Sequence, residues 1–474
     1  MDRMLIGGEW VGALGGGCWA LQDPGNEEHL ADLPFGDARD AEAAIEAAAA
    51  AAPAWAKKTA YERGALLERA AQLITERVER CAVRTSEESG KPLAQSRGEW
   101  LGAPNYLRFA AEESRRLGGR WVPARQPGRR IDVTYAPLGV IGVITAWNFP
   151  IYNVNRASAS ALAAGNTVVL RPSEYTPRTA MDYAEALTDA GLPPGVFNVI
   201  NGEPAAMGQA MLNDARVRKI AFTGSTRVGR LLMEGAARTV TRLSLELGGN
   251  APVLVFPGVD IQKVARGGLT AKLRNAGQVC IAPQRFYVHE SIYADFLAAL
   301  VQAAGREVSG HALDPRSTLG PLINRGQRER VHALVEATRH EGALVSYGGE
   351  VPSGKGWFYP PTVLADPPAE SAAMVEELFG PVLTVSPFEH TDGALAAANH
   401  CEHGLAAYVW TPDLRTAMTV SESLEYGMVG VNDWYPVTAE APFGGVKQSG
   451  LGRESGAEGV AEYVEAKTRY FGGL

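Results

Sequence analysis

Val140-Ile141-Gly142-Val143-Ile144-Thr145-Ala146-Trp147-Asn148-Phe149-Pro150 opens on five β-rich apolar residues and closes on a turn before a proline. Three further short runs share that character: Thr167-Val168-Val169-Leu170, Val196-Phe197-Asn198-Val199-Ile200 and Lys219-Ile220-Ala221-Phe222. Helix-compatible stretches such as Thr179 to Ala190 separate them. Alternating strand and helix predicts βαβ units and a parallel, doubly wound sheet of the Rossmann type. Such sheets bind ligands beyond the carboxyl ends of their strands, so chemistry is expected in the loops after these runs.

On the C-terminal side a second alternating stretch begins near Asn250. It includes Pro252-Val253-Leu254-Val255-Phe256, Arg285-Phe286-Tyr287-Val288 and Pro381-Val382-Leu383-Thr384-Val385, and reads as a second α/β domain. On the N-terminal side, Asp37 to Glu87 is rich in Ala, Glu, Arg and Leu at helical spacing, which predicts a pair of long helices. No internal repeat or disordered linker is visible. A site between the two α/β blocks is expected, since ligand sites favour domain interfaces.

The composition excludes several function classes. A chain of 474 residues predicts two or three domains. With 46% hydrophobic and 21% charged residues it reads as an ordinary soluble globular protein. The net charge of −8 is spread among interspersed acids and bases, which argues against nucleic acid or an anionic membrane as partner. The start of the chain carries acids and no long apolar core, so no signal peptide is read there. No apolar run is long enough to span a bilayer. Cys18, Cys81, Cys280 and Cys401 are scattered, which suits neither a disulfide framework nor a metal site and predicts a cytoplasmic protein without metal.

Cys280, in Arg274-Asn275-Ala276-Gly277-Gln278-Val279-Cys280, is a thiol flanked by small residues and amides; Glu246 opens the turn Glu246-Leu247-Gly248-Gly249-Asn250. A thiol can act as a nucleophile and a carboxylate as its general base. Read singly, each has a plainer alternative: a small buried hydrophobe and a solvated charge. Phe222-Thr223-Gly224-Ser225-Thr226-Arg227-Val228-Gly229 follows a strand and opens a helix, as a phosphate cradle would, or as a capped tight turn would. Arg171-Pro172-Ser173-Glu174 places a carboxylate just past a strand, where ribose hydroxyls can be held and a 2′-phosphate repelled. Asn148 offers a neutral donor suited to an oxyanion, or serves the turn before Pro150.

Together these segments resemble the aldehyde dehydrogenase superfamily, over nearly the whole chain and in order, with Glu377-Leu378-Phe379-Gly380-Pro381 and Pro442-Phe443-Gly444-Gly445-Val446-Lys447-Gln448-Ser449-Gly450 completing the set. Among such enzymes the resemblance is to succinate-semialdehyde dehydrogenases. It implies that Cys280 is the nucleophile, Glu246 the base that activates water, and Asn148 the oxyanion donor beside the Cys280 backbone N–H. Arg171 and Glu174 would bind the adenosine ribose, Ser225 the pyrophosphate, and Glu377 with Phe379 the nicotinamide ribose and ring. Ile144, Trp147, Ser173, Gly224, Val228 and Leu247 complete the implied cofactor contacts. The implied division assigns 1–118 and 138–247 to the dinucleotide-binding domain and 248–445 to the catalytic domain. An oligomerisation arm, 119–137 with 446–474, would extend a neighbour's sheet in a homotetramer or homodimer.

The chain departs from the family pattern at several places. Arg171 stands where Lys is usual, Ala146 where Pro is common, and Ala157 where Lys is frequent. Glu174 favours NAD, while the extra donors of Arg171 keep NADP open. Ala282 stands where some relatives carry a second, redox-regulatory cysteine. Arg156 and Arg274 match positions that grip the distal carboxylate of a semialdehyde, a task suited to a guanidinium fork; alternatively either pairs with a nearby acid. Trp434 and Tyr435 are expected near the substrate mouth and would instead stack on an aryl aldehyde. Val437 or Thr438 occupies the place of a serine common in semialdehyde enzymes. The leading expectation is oxidation of a short carboxylate-bearing semialdehyde to the acid, with the same chemistry on an aromatic or aliphatic aldehyde as the alternative. Transfer of the thioester to CoA is disfavoured by Glu246, and a silent paralogue by Cys280, Glu246 and Asn148 together.

Overall fold

Two sheets with parallel cores organise the chain, in a computed structural model that describes residues 2–473. The first has eight strands in the spatial order Glu9–Val11, Met4–Ile6, Phe197–Val199, Thr167–Arg171, Val140–Ile144, Val217–Thr223, Arg242–Glu246 and Gly450–Leu451. Its five central strands are parallel, and antiparallel strands close both edges. Strand order reverses at Val140–Ile144, which opens a crevice beyond the carboxyl ends. The Thr167–Arg171 strand is buried at every residue, as a central strand covered on both faces must be.

Helices cover both faces. Ala38–Lys57 and Pro204–Asn213 pack on one side, against Met4, Val169 and Ile220. Ala60–Glu76, Leu93–Glu113, Pro150–Ala163 and Pro177–Asp189 pack on the other, against Val143, Val168 and Leu170. Where a pair of long helices was expected across residues 37–87, there are three: Ala38–Lys57, Ala60–Glu76 and Val78–Ser89. The break at Thr59 has a local cause. Its side chain accepts the Glu62 N–H while the Glu62 carboxylate accepts the Thr59 N–H, a reciprocal cap that starts a new helix.

The second sheet runs Leu344–Tyr347, Thr362–Ala365, Val382–Phe388, Pro283–His289, Ala251–Val255, Ala406–Trp410 and Met428–Val431, parallel except at the first pair. The first sheet's Arg242–Glu246 strand ends only five residues before Ala251 begins an interior strand of the second. The carboxyl edge of one sheet therefore meets the amino edge of the other across Leu247 to Asn250.

A third, antiparallel sheet of Arg120–Val122, Arg129–Pro137 and Val464–Gly472 stands out from this body, and Arg469 bridges Asp132 across it at 2.8 Å. Of the C-terminal stretch expected in the arm, only Val464–Gly472 joins it. Val446–Lys447 pairs with His403–Gly404, Gly450–Leu451 with the Arg242–Glu246 strand, and the Gly456–Ala461 helix packs on Leu93–Glu113 and Pro150–Ala163. Among the described residues no helix is long and apolar enough to cross a membrane.

Candidate active site

Where the two sheets meet, a cavity of about 1150 Å³ runs from Thr223, Gly224 and Ser225 to Cys280. Trp147, Asn148, Arg156, Glu246, Leu247, Arg274, Glu377, Phe379 and Tyr435 line it as well. Residues far apart in sequence reach one space because the first sheet presents its strand ends there. Ile144 lies opposite Arg171 and beside Phe222, and Thr223 lies opposite Glu246.

The segment leading to Cys280 is a strained turn. Asn275 and Ala276 have φ of 48° and 54°, and Gly277 follows at 77°, three successive residues in the left-handed region. Only glycine fits at 277, since a Cβ there would meet the Gly380 carbonyl oxygen at 2.0 Å. Such strain persists where surroundings over-determine it. Here the Asn275 side-chain amide donates to the Asn148 carbonyl at 2.8 Å and its N–H to Gln95 Oε1 at 2.8 Å. Gln278, fully buried, donates to the Asn275 carbonyl at 2.8 Å and accepts the Ile323 N–H at 2.9 Å.

Asn148 closes the same turn from the other side, its Nδ2 donating to the Gln278 carbonyl at 3.1 Å. It precedes the Pro150–Ala163 helix, whose N-cap Phe149 has no capping side chain. Glu99 serves instead, accepting the Ile151 and Tyr152 N–H groups at 3.2 and 3.3 Å while ion-paired to the buried Lys91. The helix start is thus held rigidly beside the thiol.

Glu246 is 3% exposed and neither of its carboxylate oxygens has a hydrogen-bond partner. A Cβ at Gly444 would lie 2.8 Å from its Oε1, so the chain leaves room for the carboxylate only by placing glycine there. Burial pushes the Glu246 carboxyl well above the usual range, with Glu454 adding to the rise and Arg156 opposing it. Burial likewise pushes the Cys280 thiol up to about 12, Arg156 opposing and Glu377 and Glu246 adding. Burial thus favours the uncharged form of each group. Glu377, raised by burial to about 7, is tied to the glycine turn by the Gly249 N–H at 3.0 Å.

The cofactor candidates fall into two groups. Trp147, Gly224, Ser225, Leu247, Glu377 and Phe379 line the cavity, and Trp147 meets Phe379 edge-to-face at 5.5 Å. Ile144, Arg171, Ser173, Glu174 and Val228 lie along the same strand ends but outside the cavity wall. Arg171 pairs with Glu174 at 2.8 Å and donates to the Gly202 carbonyl at 2.8 Å; the Val228 N–H donates to Ser225 Oγ at 3.4 Å. The Thr226–Ala236 helix begins at the cavity wall, so the positive end of its dipole faces inward. A crevice at a strand-order reversal, a helix N-terminus suited to a pyrophosphate and a carboxylate just past a strand end fit a dinucleotide.

The two arginines diverge. Arg156 is 6% exposed and its Nε lies 3.0 Å from Glu454, with Phe443 against its face at 4.0 Å. It thus adopts the alternative of a buried partner acid, and its charge is already countered. Arg274 is half-buried and forms no ion pair among the described residues; the rings of Phe149 and Tyr435 flank it at 5.3 and 5.2 Å. The two aromatic candidates also diverge. Tyr435 is 48% exposed in the cavity wall. Trp434 is not at the mouth: it is 7% exposed and packs on Phe286, Tyr408 and Trp410, over Gly267 and Gly268. Both residues lie in the loop after Met428–Val431, and Gly267 and Gly268 leave space for the indole.

Sequence reading passed over Asn153, Gln278, Glu99 and Glu454. Asn153 carried a signal: a polar amide in a helix otherwise rich in Ala, Val and Leu. Glu454 carried none, because its partner lies 298 residues away in sequence, counted from Arg156.

Comparison with known proteins agrees with this geometry. The model described as "Aldehyde dehydrogenase family" matches residues 10–469. The chain is 45% identical to a succinate-semialdehyde dehydrogenase of Paenarthrobacter nicotinovorans, over 94% of this chain and 98% of that one. It is 41% identical to the succinate-semialdehyde dehydrogenase [NADP(+)] GabD of Escherichia coli (strain K12), over 98% and 97% of the two chains. Among solved structures, betaine aldehyde dehydrogenase from Staphylococcus aureus in complex with NAD+ superposes with a TM-score of 0.98 at 33% identity, covering 100% of this chain and 95% of that one.

Proposed function

The chain belongs to the aldehyde dehydrogenase family, and from that premise we propose that it oxidises a short carboxylate-bearing semialdehyde to the corresponding diacid, with NAD as the favoured hydride acceptor. The observation that carries the substrate reading is Arg274: a half-buried guanidinium in the cavity wall whose neighbours are aromatic faces rather than acids. A half-buried guanidinium with no ion-pair partner among the described residues is suited to a substrate carboxylate, which it can meet bidentately. Arg156 lines the same cavity but is committed to Glu454, so Arg274 is the principal clamp.

Cys280 Sγ, its proton passed by way of the Glu246 carboxylate to solvent, attacks the carbonyl carbon, and Asn148 Nδ2 with the Cys280 N–H receives the developing oxyanion. The bound dinucleotide supplies the acceptor for the hydride lost from that carbon. The acyl group is left on Cys280 as a thioester. Glu246, whose oxygens are unpaired, takes a proton from water as it adds to the thioester carbon and returns it to the departing Cys280 sulfur, releasing acid and thiol. Trp147, Glu377 and Phe379 would hold the nicotinamide end, and Ser225 the pyrophosphate. Arg171 and Glu174 would hold the adenosine ribose, where the Glu174 carboxylate would repel a 2′-phosphate.

The exposed arm strand Val464–Gly472, with Tyr470 and Trp121 uncovered, is suited to extend a neighbouring copy's sheet in a homodimer or homotetramer, checked by light scattering. Four free cysteines suit a reducing cytoplasm. The test of function is NADH formation at 340 nm with succinate semialdehyde, glutarate semialdehyde, benzaldehyde and hexanal, each with NAD and NADP. Higher kcat/KM for the two acid-bearing aldehydes is expected; a preference for benzaldehyde or hexanal overturns the substrate assignment.

A further inference from the structure

The Pro150–Ala163 helix is buried at all but one of its residues, Tyr152, yet it carries two asparagines and an arginine. Asn155 has a structural use: it donates to the Ala103 carbonyl and accepts from the Tyr183 hydroxyl at 3.0 Å. Asn153 does not touch the surrounding core in that way. Its Nδ2 donates to the Ala146 carbonyl at 3.3 Å and to Asn148 Oδ1 at 3.1 Å, and its Oδ1 accepts from Arg156 Nη2 at 3.1 Å.

The polarity of this chain has only one consistent sense. A guanidinium has donors and no acceptor, so Arg156 can meet only the oxygen of Asn153. The Asn153 nitrogen must then face Asn148 and the Ala146 carbonyl. Asn148 must answer with its oxygen, which turns its own nitrogen to the opposite side, where it meets the Gln278 carbonyl at 3.1 Å beside Cys280. Arg156 is itself fixed by Glu454 and by the Phe443 ring. The two orientations of a side-chain amide are nearly isosteric but opposite in effect. One offers N–H to an oxyanion; the other presents a lone pair that repels it.

We infer that Asn153 is a positioning residue for oxyanion stabilisation, transmitting the donor-only character of Arg156 to the Asn148 amide so that its N–H faces the thiol. The inference rests on Asn148 being the oxyanion donor. It gives Arg156 a task in catalysis separate from any contact with substrate, which accounts for its pairing with Glu454 rather than standing free. Asn153, Arg156 and Glu454, all buried, are thereby ordered about one amide, and a chain of hydrogen bonds with a single consistent polarity fixes its direction.

The test compares Asn153→Asp with Asn153→Leu, each also made with Asn148→Ala, by single-turnover hydride transfer. Asp keeps an acceptor for Arg156 but faces Asn148 with a second oxygen, so Asn148 must turn its N–H away from the thiol. Leu is close in size and merely releases the constraint. Expected is a fall in rate of roughly 100-fold for Asp, the scale of losing one oxyanion donor, and a smaller fall of about 10-fold for Leu. The aldehyde KM and NAD affinity should hold within about two-fold of the starting enzyme. The Asp loss should persist at the high-pH plateau and vanish in the Asn148→Ala background.

A structural role predicts the reverse order, with Asp, which retains the Arg156 partner, milder than Leu. That order, or an Asp loss of equal size in the Asn148→Ala background or one recovered at high pH, overturns the inference. An Asn148→Ala enzyme with undiminished hydride transfer would instead overturn the role of Asn148 itself. Melting temperature and NAD binding verify that each variant is folded.

Discussion

The strand-end loop just outside the cavity and the thiol end within it treat charge in opposite ways. At the strand-end loop after Thr167–Arg171, Arg171 Nη2 meets both Glu174 and the Gly202 carbonyl, so the two charges counter each other, while the guanidinium Nε is buried without an acceptor. At the thiol end, Glu246 is buried with both oxygens unpaired, Cys280 is pushed up to about 12, and Arg274 faces aromatic rings. A surface that only has to bind gains from paired, preorganised groups. A site that has to move protons and bonds keeps groups whose partners arrive with the reaction, and it accepts their desolvation as a cost to stability. The contrast lies in the carboxylates: Glu246 is buried with no partner, whereas Glu174 is paired with Arg171.

Substitutions at the thiol end should then cost turnover without costing cofactor binding. Cys280→Ala should abolish NADH formation while NAD affinity by fluorescence titration stays within about two-fold, since no covalent intermediate can form. Glu246→Gln should slow thioester hydrolysis by ~10²–10⁴-fold, the range for a general base, and leave a stoichiometric burst of NADH. An unchanged steady state would remove Glu246 from the mechanism.

Next in size is Arg274→Ala, which should raise KM for succinate semialdehyde by ~10–100-fold, the equivalent of ~1.5–3 kcal/mol for a charge-assisted hydrogen bond. Benzaldehyde KM should not follow; parallel rises would make Arg274 structural. The smallest effect is a shift of the pH profile. Glu454 raises the Glu246 carboxyl, so in the parent enzyme the base form is reached only as pH rises through that elevated value. Glu454→Gln removes the like charge and leaves Arg156 free to favour the Glu246 carboxylate, so the acid limb of kcat should move to lower pH. A limb that stays in place, or moves upward, would show that Glu454 and Glu246 do not sense each other.

Much of the fold was legible because its causes are local. The apolar run Val140–Ile144 and its successors are central strands, and they pair in parallel. The convergence of Asn148, Glu246, Cys280 and Glu377 on one cavity followed from the order of motifs and the topology they imply. The misreadings share a different cause. Two helices became three at Thr59, where a reciprocal cap outweighed continuous helical propensity. Trp434 turned inward because glycines on a distant helix left a space for it. Residues 446–463 returned to the main body because Gly450–Leu451 found an edge strand laid down two hundred residues earlier.

The amino-acid sequence by itself determined the inventory: a thiol, a carboxylate, a side-chain amide, and strands and turns able to bring them together. Short-range periodicity and turn chemistry act within a few residues, so they can be read there. Only the tertiary structure decided which of those groups were free to act. Arg156 and Arg274 are the same residue type, each close to a motif. One is neutralised by Glu454 and the other left open to the cavity. A charge's availability depends on what packs against it across space, and over distances of hundreds of residues no local pattern records that.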